Sequence, residues 1–235
     1  MLLLYVPCSF RLSCSFSLAY SLIIFDLDGT LADSFPWFRR HVNGVADRFG
    51  FLRIADEDVE GLRHADSREI LARLKVSRWK LPAIARHMRK LKAQHLADIP
   101  LFDGVEAMLR TLSAAGFRLA LVSSDSEANA RQQLGELAAL FSHFDCGASV
   151  FGKARKFRRV VRRAGIAHKA VIAIGDEVRD IEAARAAGIA CGAVRWGFAS
   201  TEALRARAPD LLFERMEDIA RELVLRSARR DATTA

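Results

Sequence analysis

Asp26 and Asp28 stand two residues apart at the end of the apolar run Leu22-Ile23-Ile24-Phe25, and Gly29-Thr30 follows them. The run is continuous rather than alternating, which predicts a strand buried on both faces of a parallel sheet. Strand side chains alternate, so the two carboxylates can point into one crevice while Leu27 turns back toward packed structure. Gly29 lets the chain turn sharply beyond them. In open α/β sheets the ligand crevice lies just past the carboxyl ends of the strands, so this pair falls where chemistry is usually done. A carboxylate there can act as a covalent nucleophile or move a proton. The plain alternative is a polar exit from strand to loop.

The stretch FDLDGTLADS resembles the first motif of the haloacid dehalogenase superfamily, a group of aspartate-nucleophile phosphohydrolases, and three further stretches follow in that family's order. Ser123, at the end of LALVS and before Ser124, resembles the second motif, which hydrogen-bonds a phosphoryl oxygen. Lys153 in FGKARK resembles the third, a lysine that offsets phosphate charge and steadies the nucleophile. Lys156 competes for that role, but Lys153 sits at the start of the predicted helix, nearer the strand ends. The run Gly175-Asp176-Glu177-Val178-Arg179-Asp180 resembles the fourth, whose acidic residues hold magnesium, a hard cation bound by few carboxylates plus water and phosphate.

The resemblance covers about residues 21–223 and implies a Mg²⁺-dependent phosphatase. It implies Asp26 as nucleophile and Asp28 as general acid and base. Asp176 and Asp26 would hold the metal together with the backbone carbonyl of Asp28. Asp180 would stand behind them on Lys153, and Glu177 is an alternative ligand. Dehalogenating relatives lack a carboxylate at the position of Asp28, so its presence favours phosphoryl chemistry. Likeness is greatest to phosphoglycolate-phosphatase-like members with a helical cap, including the run RWGF at 195–198, and the expected substrate is a small phosphorylated metabolite, phosphoglycolate or one like it. A phosphomutase that uses the same aspartyl-phosphate is the alternative.

These residues need elements to carry them. Strands are predicted at 22–25, 117–122, 144–148, 170–174 and 189–194, with helices at 104–115, 127–140, 154–164 and 180–187 between them. Such alternation predicts an α/β fold with a doubly wound, Rossmann-like parallel sheet built from 21–34 and 101–226. Between these pieces residues 35–100 read as a helical cap. Its helices are expected at 37–49, with Trp37, His41, Val45 and Phe49 on one face, and at 56–59, 67–74 and 81–96. Arg63 and Arg68 in this insert are candidates for substrate recognition, since Arg suits carboxylate and phosphate. A solvated basic face is the alternative.

The composition sets bounds. With 235 residues and 51% hydrophobic content, the chain can build one large core with an insert. Its net charge of +8 and pI near 9.8 would suit an anionic partner. However, no nucleic-acid motif and no basic strand interleaved with aromatics accompanies them, so nucleic acid is not the expected partner and a basic nucleic-acid-binding module ranks only as an alternative from another class. Cys8, Cys14, Cys146 and Cys191 form no CxxC pair, which fits a reducing cytoplasm. Residues 1–20 are apolar and Ser-rich, but Arg11 interrupts them and the run is short for a membrane span. They are expected to be an extension of unknown role, and 227–235 a flexible tail.

Overall fold

The computed structural model describes residues 20–147 and 152–234. In chain order its elements are β1 (Leu22–Phe25), α1 (Phe35–Phe49), α2 (Val59–Arg63), α3 (Ser67–Arg73), α4 (Leu81–Gln94), α5 (Val105–Ala114), β2 (Arg118–Val122) and α6 (Glu127–Leu134). They continue with β3 (Phe141–Asp145), α7 (Lys153–Ala164), β4 (Val171–Gly175), α8 (Val178–Ala187), β5 (Ala190–Val194), α9 (Thr201–Ala206), β6 (Leu211–Phe213) and α10 (Met216–Thr234). All five strand pairings are parallel, in the order β3-β2-β1-β4-β5-β6. The chain winds outward from β1 in one direction through β2 and β3, then returns to its other side at β4. The reversal between β1 and β4 is the topological switch point at which open α/β sheets bind ligands.

The unbroken apolar run of β1 is explained by what covers each face. Ile23 and Phe25 pack into one cluster with Leu109 and Leu112 of α5 and Ile219 and Leu223 of α10. Leu22 and Ile24 pack into a second with Val160 and Val161 of α7 and Ile181 and Ala184 of α8. Both faces are therefore dry, and all four β1 side chains are fully buried. Glycines close the helices that return to the sheet: Gly165 after α7 and Gly188 after α8 both adopt the left-handed conformation that glycine tolerates best.

The insert leaves and rejoins the core through two neighbouring segments. Asp33 N–H donates to the Pro100 carbonyl and Phe102 N–H to that of Leu31, both at 2.9 Å, and Ala32 and Leu101 form an antiparallel bridge. α1 to α4 thus stand on a two-stranded stem directly beside β1.

Several expectations shift. The strand expected at 144–148 is β3 at Phe141–Asp145, and Ala148 lies outside the described residues, as do 1–19 with Cys8 and Cys14. The helix expected at 127–140 stops at Leu134, because Gly135 takes a positive φ of 55° and the chain tightens into a 3₁₀ turn to Leu140. In α1 the buried face is Trp37, Val42, Val45 and Ala46 rather than one including His41 and Phe49. β6, which the sequence reading did not find, is only three residues long. α10 continues to Thr234, past residue 226, where the core was expected to end.

Ile24 is fully buried at the sheet centre, whereas Leu52 is 47% exposed in the insert. Ile24→Ala is expected to lower unfolding free energy by about 2–5 kcal/mol, and Leu52→Ala by no more than about 0.5 kcal/mol. Chemical denaturation of both variants checks this, and equal losses would contradict the assigned core.

Candidate active site

The ladders hold the strand ends level: Phe25 pairs with Leu121 on one side and Ile174 on the other, and Asp26 N–H donates to the Ile174 carbonyl at 2.9 Å. The first residue beyond β1 is therefore level with the exits of β2 and β4. Asp26 is buried, its Oδ1 accepting from Leu27 N–H at 2.8 Å and its Oδ2 from Lys153 Nζ at 2.5 Å. Lys153 is the first residue of α7, and its ammonium also lies 2.5 Å from Asp180 Oδ1. Burial pushes the Asp26 carboxyl up against the pull of Lys153. Burial would do the same to Asp180, but Lys153 and Arg179 outweigh it and hold that carboxyl low.

Lys156 is turned to a different task. Its Nζ donates to the carbonyls of Ser123 at 2.7 Å and Gly147 at 2.6 Å, pinning the exits of β2 and β3. Helical side chains lean toward the helix N-terminus, so both lysines reach back, and the one-turn offset decides which carboxylate or carbonyl each meets.

Asp176 is fully buried and is held from two directions. Thr30 Oγ1 donates to its Oδ1 at 2.9 Å, and Phe198 N–H to its Oδ2 at 2.8 Å. The loop that supplies Phe198 is tied in turn to the loop after β1 and to the insert. Trp196 Nε1 donates to the Thr30 carbonyl at 3.1 Å, and Arg63 donates to the carbonyls of Phe198 at 3.0 Å and Gly197 at 3.2 Å. The Phe198 ring packs edge-on against Phe35 and Phe38 of α1. Thus Arg63, a candidate for substrate recognition, fastens the insert to the loop behind Asp176. Arg68 is exposed at the start of α3.

The donor set fits a hard divalent cation. Asp26, Asp176 and Asp180 bring ligand atoms within 4.8 Å of one another, all three from buried positions and all oxygen, as Mg²⁺ prefers. Acid outnumbers base around them: Glu177 adds a fourth carboxylate beside Lys153 and Arg179. Asp176 is pushed well above the usual carboxylate range by burial, then by Glu177, Asp180 and Asp26. Charge crowded in this way is relieved by a bound cation. Glu177 itself caps α8 in a reciprocal capping box, with the Asp180 side chain accepting from the Glu177 backbone, and it pairs with Arg179.

Ser123 is buried, its Oγ accepting from Asp125 N–H at 3.0 Å. Ser124 is exposed beside it and lines a cavity of about 390 Å³ that also meets Asp28, Asp125 and Arg179 and extends beneath the insert.

Two residues of this site escaped the sequence reading. Lys92 of α4 is buried, its Nζ 2.6 Å from Asp28 Oδ1 and 2.8 Å from Asp125 Oδ2. Burial works against its charge, but the two carboxylates outweigh that and raise its pKa. Asp125 is held by Asn129 Nδ2 at 2.8 Å and by Ser126 N–H at 2.6 Å. α4 is so basic that Lys92 reads as one more solvated charge. The available signal is its place on the stripe of Leu81, Ala85 and Met88.

Known proteins bear on this arrangement. The pattern of the family described as haloacid dehalogenase-like hydrolase matches residues 23–194. Phosphoglycolate phosphatase of Synechococcus elongatus is 37% identical over 199 residues, spanning 84% of this chain and 94% of that protein. A 5'-nucleotidase of Pseudomonas aeruginosa is 28% identical over 206 residues, 82% of this chain and 90% of its own. Among solved structures, a predicted phosphatase from Clostridium acetobutylicum superposes with a TM-score of 0.74 at 22% identity, covering 88% of this chain and 99% of the other. At that identity the likeness speaks for the fold alone.

A Cβ on Gly197 would lie 2.2 Å from the Asp176 Cβ, whereas one on Gly44, exposed in α1, meets nothing within 4 Å. Gly197→Ala is expected to destabilise by about 1–3 kcal/mol through overpacking, and Gly44→Ala to stabilise by up to about 1 kcal/mol through helix propensity. Thermal and denaturant unfolding of the pair measures this. A neutral Gly197→Ala would show that the loop does not press on Asp176.

Proposed function

The chain belongs to the haloacid dehalogenase-like hydrolases and is a phosphatase of that family, and from this premise we propose that it hydrolyses a small phosphomonoester through an aspartyl-phosphate formed on Asp26. The observation that carries the proposal is the pairing at the end of β1. Asp26 is buried against Lys153, while Asp28, two residues on, is 28% exposed at its side chain and faces the cavity. Phosphoglycolate is the first substrate to test, because the Synechococcus relative that bears its name aligns over nearly its whole length.

In the first half-reaction the Asp26 carboxylate attacks phosphorus, the bond from phosphorus to the ester oxygen breaks, and Asp28 gives its proton to the departing alkoxide. In the second, water attacks the aspartyl-phosphate and Asp28 takes its proton. The bond between Asp26 and phosphorus then breaks and inorganic phosphate leaves. Ser123 and Ser124 hydrogen-bond phosphoryl oxygens, and Lys153 offsets their charge beside Asp26. Asp26, Asp176 and the Asp28 carbonyl are the groups that would hold Mg²⁺, with Asp180 behind them on Lys153. When bound, the ion supplies positive charge that eases the approach of two anions. Lys92 keeps Asp28 oriented from the side of the insert.

Asp26→Asn is expected to lower kcat on p-nitrophenyl phosphate and phosphoglycolate by at least about a thousandfold, the scale of losing a covalent nucleophile. EDTA should abolish turnover and added Mg²⁺ restore it. Phosphate release by the variant at the wild-type rate would remove Asp26 from its role, and EDTA-insensitive turnover would remove the metal. Lys92→Met is expected to lower kcat by about a hundredfold, the low end of what a positioned proton-transfer group contributes, with Lys92→Arg recovering part of it. Steady-state rates of both variants test that role.

A further inference from the structure

The space above the strand ends is larger and less polar than the smallest phosphomonoesters require. At about 390 Å³ the cavity falls in the range of about 300–1,000 Å³ that encloses drug-sized ligands, and a two-carbon acid fills a small part of it. Its walls include Phe38, Ile54, Leu62, Ile70, Leu74 and Met88.

α4 gives the cavity a direction. Leu81, Ala85, Met88, Arg89 and Lys92 all line it, and this spacing puts them along one face of the helix. Lys92 marks the end nearest the reaction through its contact with Asp28. Arg89 lies one turn back, about 4.5 Å along the helix axis, and Ala85 and Leu81 lie beyond it. Arg89 Nη1 is buried and has no hydrogen-bond partner, and no acidic side chain pairs with this guanidinium among the described residues. Arg39 Nη1, from α1, is likewise buried and unpartnered in the same cavity, although its Nη2 pairs with Asp56. A charged donor buried without an acceptor is costly, and in a ligand cavity it is the complement of an anionic group on the ligand. Arg is the residue suited to carboxylate.

The geometry points to a leaving group that carries a carboxylate close to the ester oxygen, bound by Arg89, and an apolar substituent that fills the cavity beyond it. The substrate class is an α-phosphooxy carboxylate with an alkyl or aryl side chain, for which phosphoglycolate is the truncated case. This rests on the phosphatase reading and on the same reacting centre. Arg89 shares the cavity-lining face of α4 with Lys92, one turn away, which puts its unpaired donor on the leaving-group side of Asp28, and the apolar walls set the side chain.

The test compares kcat/KM on phosphoglycolate, on α-phosphooxy acids bearing isobutyl and benzyl side chains, and on 3-methylbutyl phosphate, the isobutyl-bearing ester without its carboxylate. The substituted acids are expected to exceed phosphoglycolate by about tenfold or more, the discrimination an apolar pocket gives to added hydrocarbon. Arg89→Met should reduce kcat/KM on the acids at least about tenfold more than on 3-methylbutyl phosphate, mainly through KM, with Arg89→Lys recovering part of the difference. Ala85→Phe, which fills the cavity without touching charge, should reverse the preference for the substituted acids and gives an independent measurement should Arg89→Met fold poorly. Phosphoglycolate as the fastest substrate with falling rates on larger acids, or an equal effect of Arg89→Met on acids and 3-methylbutyl phosphate, would overturn the inference. Turnover of p-nitrophenyl phosphate by the wild-type protein separates these outcomes from failure of the phosphatase reading, since its absence would overturn that reading and the inference with it.

Discussion

A single ammonium, that of Lys153, lies 2.5 Å from carboxylate oxygens of both Asp26 and Asp180, and the order of the strand ends depends on this contact. Asp26 comes from the exit of β1 and Asp180 from the first turn of α8, so without a cation between them two buried carboxylates would face each other across the switch point. Burying like charges at such separation is unfavourable in a medium less polar than water. α7 must therefore begin where its first residue can reach the crevice. The packing of Val160 and Val161 beneath Leu22 and Ile24 fixes that start, so the hydrophobic core sets the position of the charge.

That core explains why much of the arrangement was legible in the sequence. A parallel strand buried on both faces must be apolar throughout and can turn polar only where it emerges, so Asp26, Ser123 and Asp176 mark strand exits, the places to which the chemistry is proposed to fall. The elements that went unread obey weaker rules. β6 is three residues at the sheet edge, too short for a pattern to declare itself. The stop at Leu134 depends on the conformation of one glycine, Gly135, and β3 begins earlier than expected because the chain tightens into a 3₁₀ turn before it.

Lys92 and Asp125 were hidden for a different reason. Their contact spans two elements separated in the chain, α4 of the insert and the exit of β2, and no local periodicity encodes such a meeting. A lysine in a basic helix resembles its solvated neighbours until the fold shows that it is buried between two carboxylates. The same holds for the run at 195–198. Its likeness to family members was visible, but its physical role appears only when Gly197 is seen to leave no room for a side chain beside Asp176 and Phe198 N–H to meet that carboxylate.

The insert meets Asp28 and the loop behind Asp176 through charged contacts as well as the packing of Phe35 and Phe38 on Phe198, whereas the cavity it encloses is walled largely by apolar side chains. Arg63 fastens it to the loop behind Asp176, and Lys92 fastens it to Asp28. Both contacts are charged and directional, so they fix where the insert sits over the strand ends. The cavity walls above them are largely Leu, Ile, Phe and Met, whose interactions scale with area and carry little direction. Exchanging one apolar side chain for another there changes the volume and shape available to a leaving group while leaving the placement of Asp28 to Lys92. A fold built in this way can keep one reacting centre and vary the ester it accepts. This is the physical reason that the insert, rather than the sheet, is where the substrate of this chain must be sought.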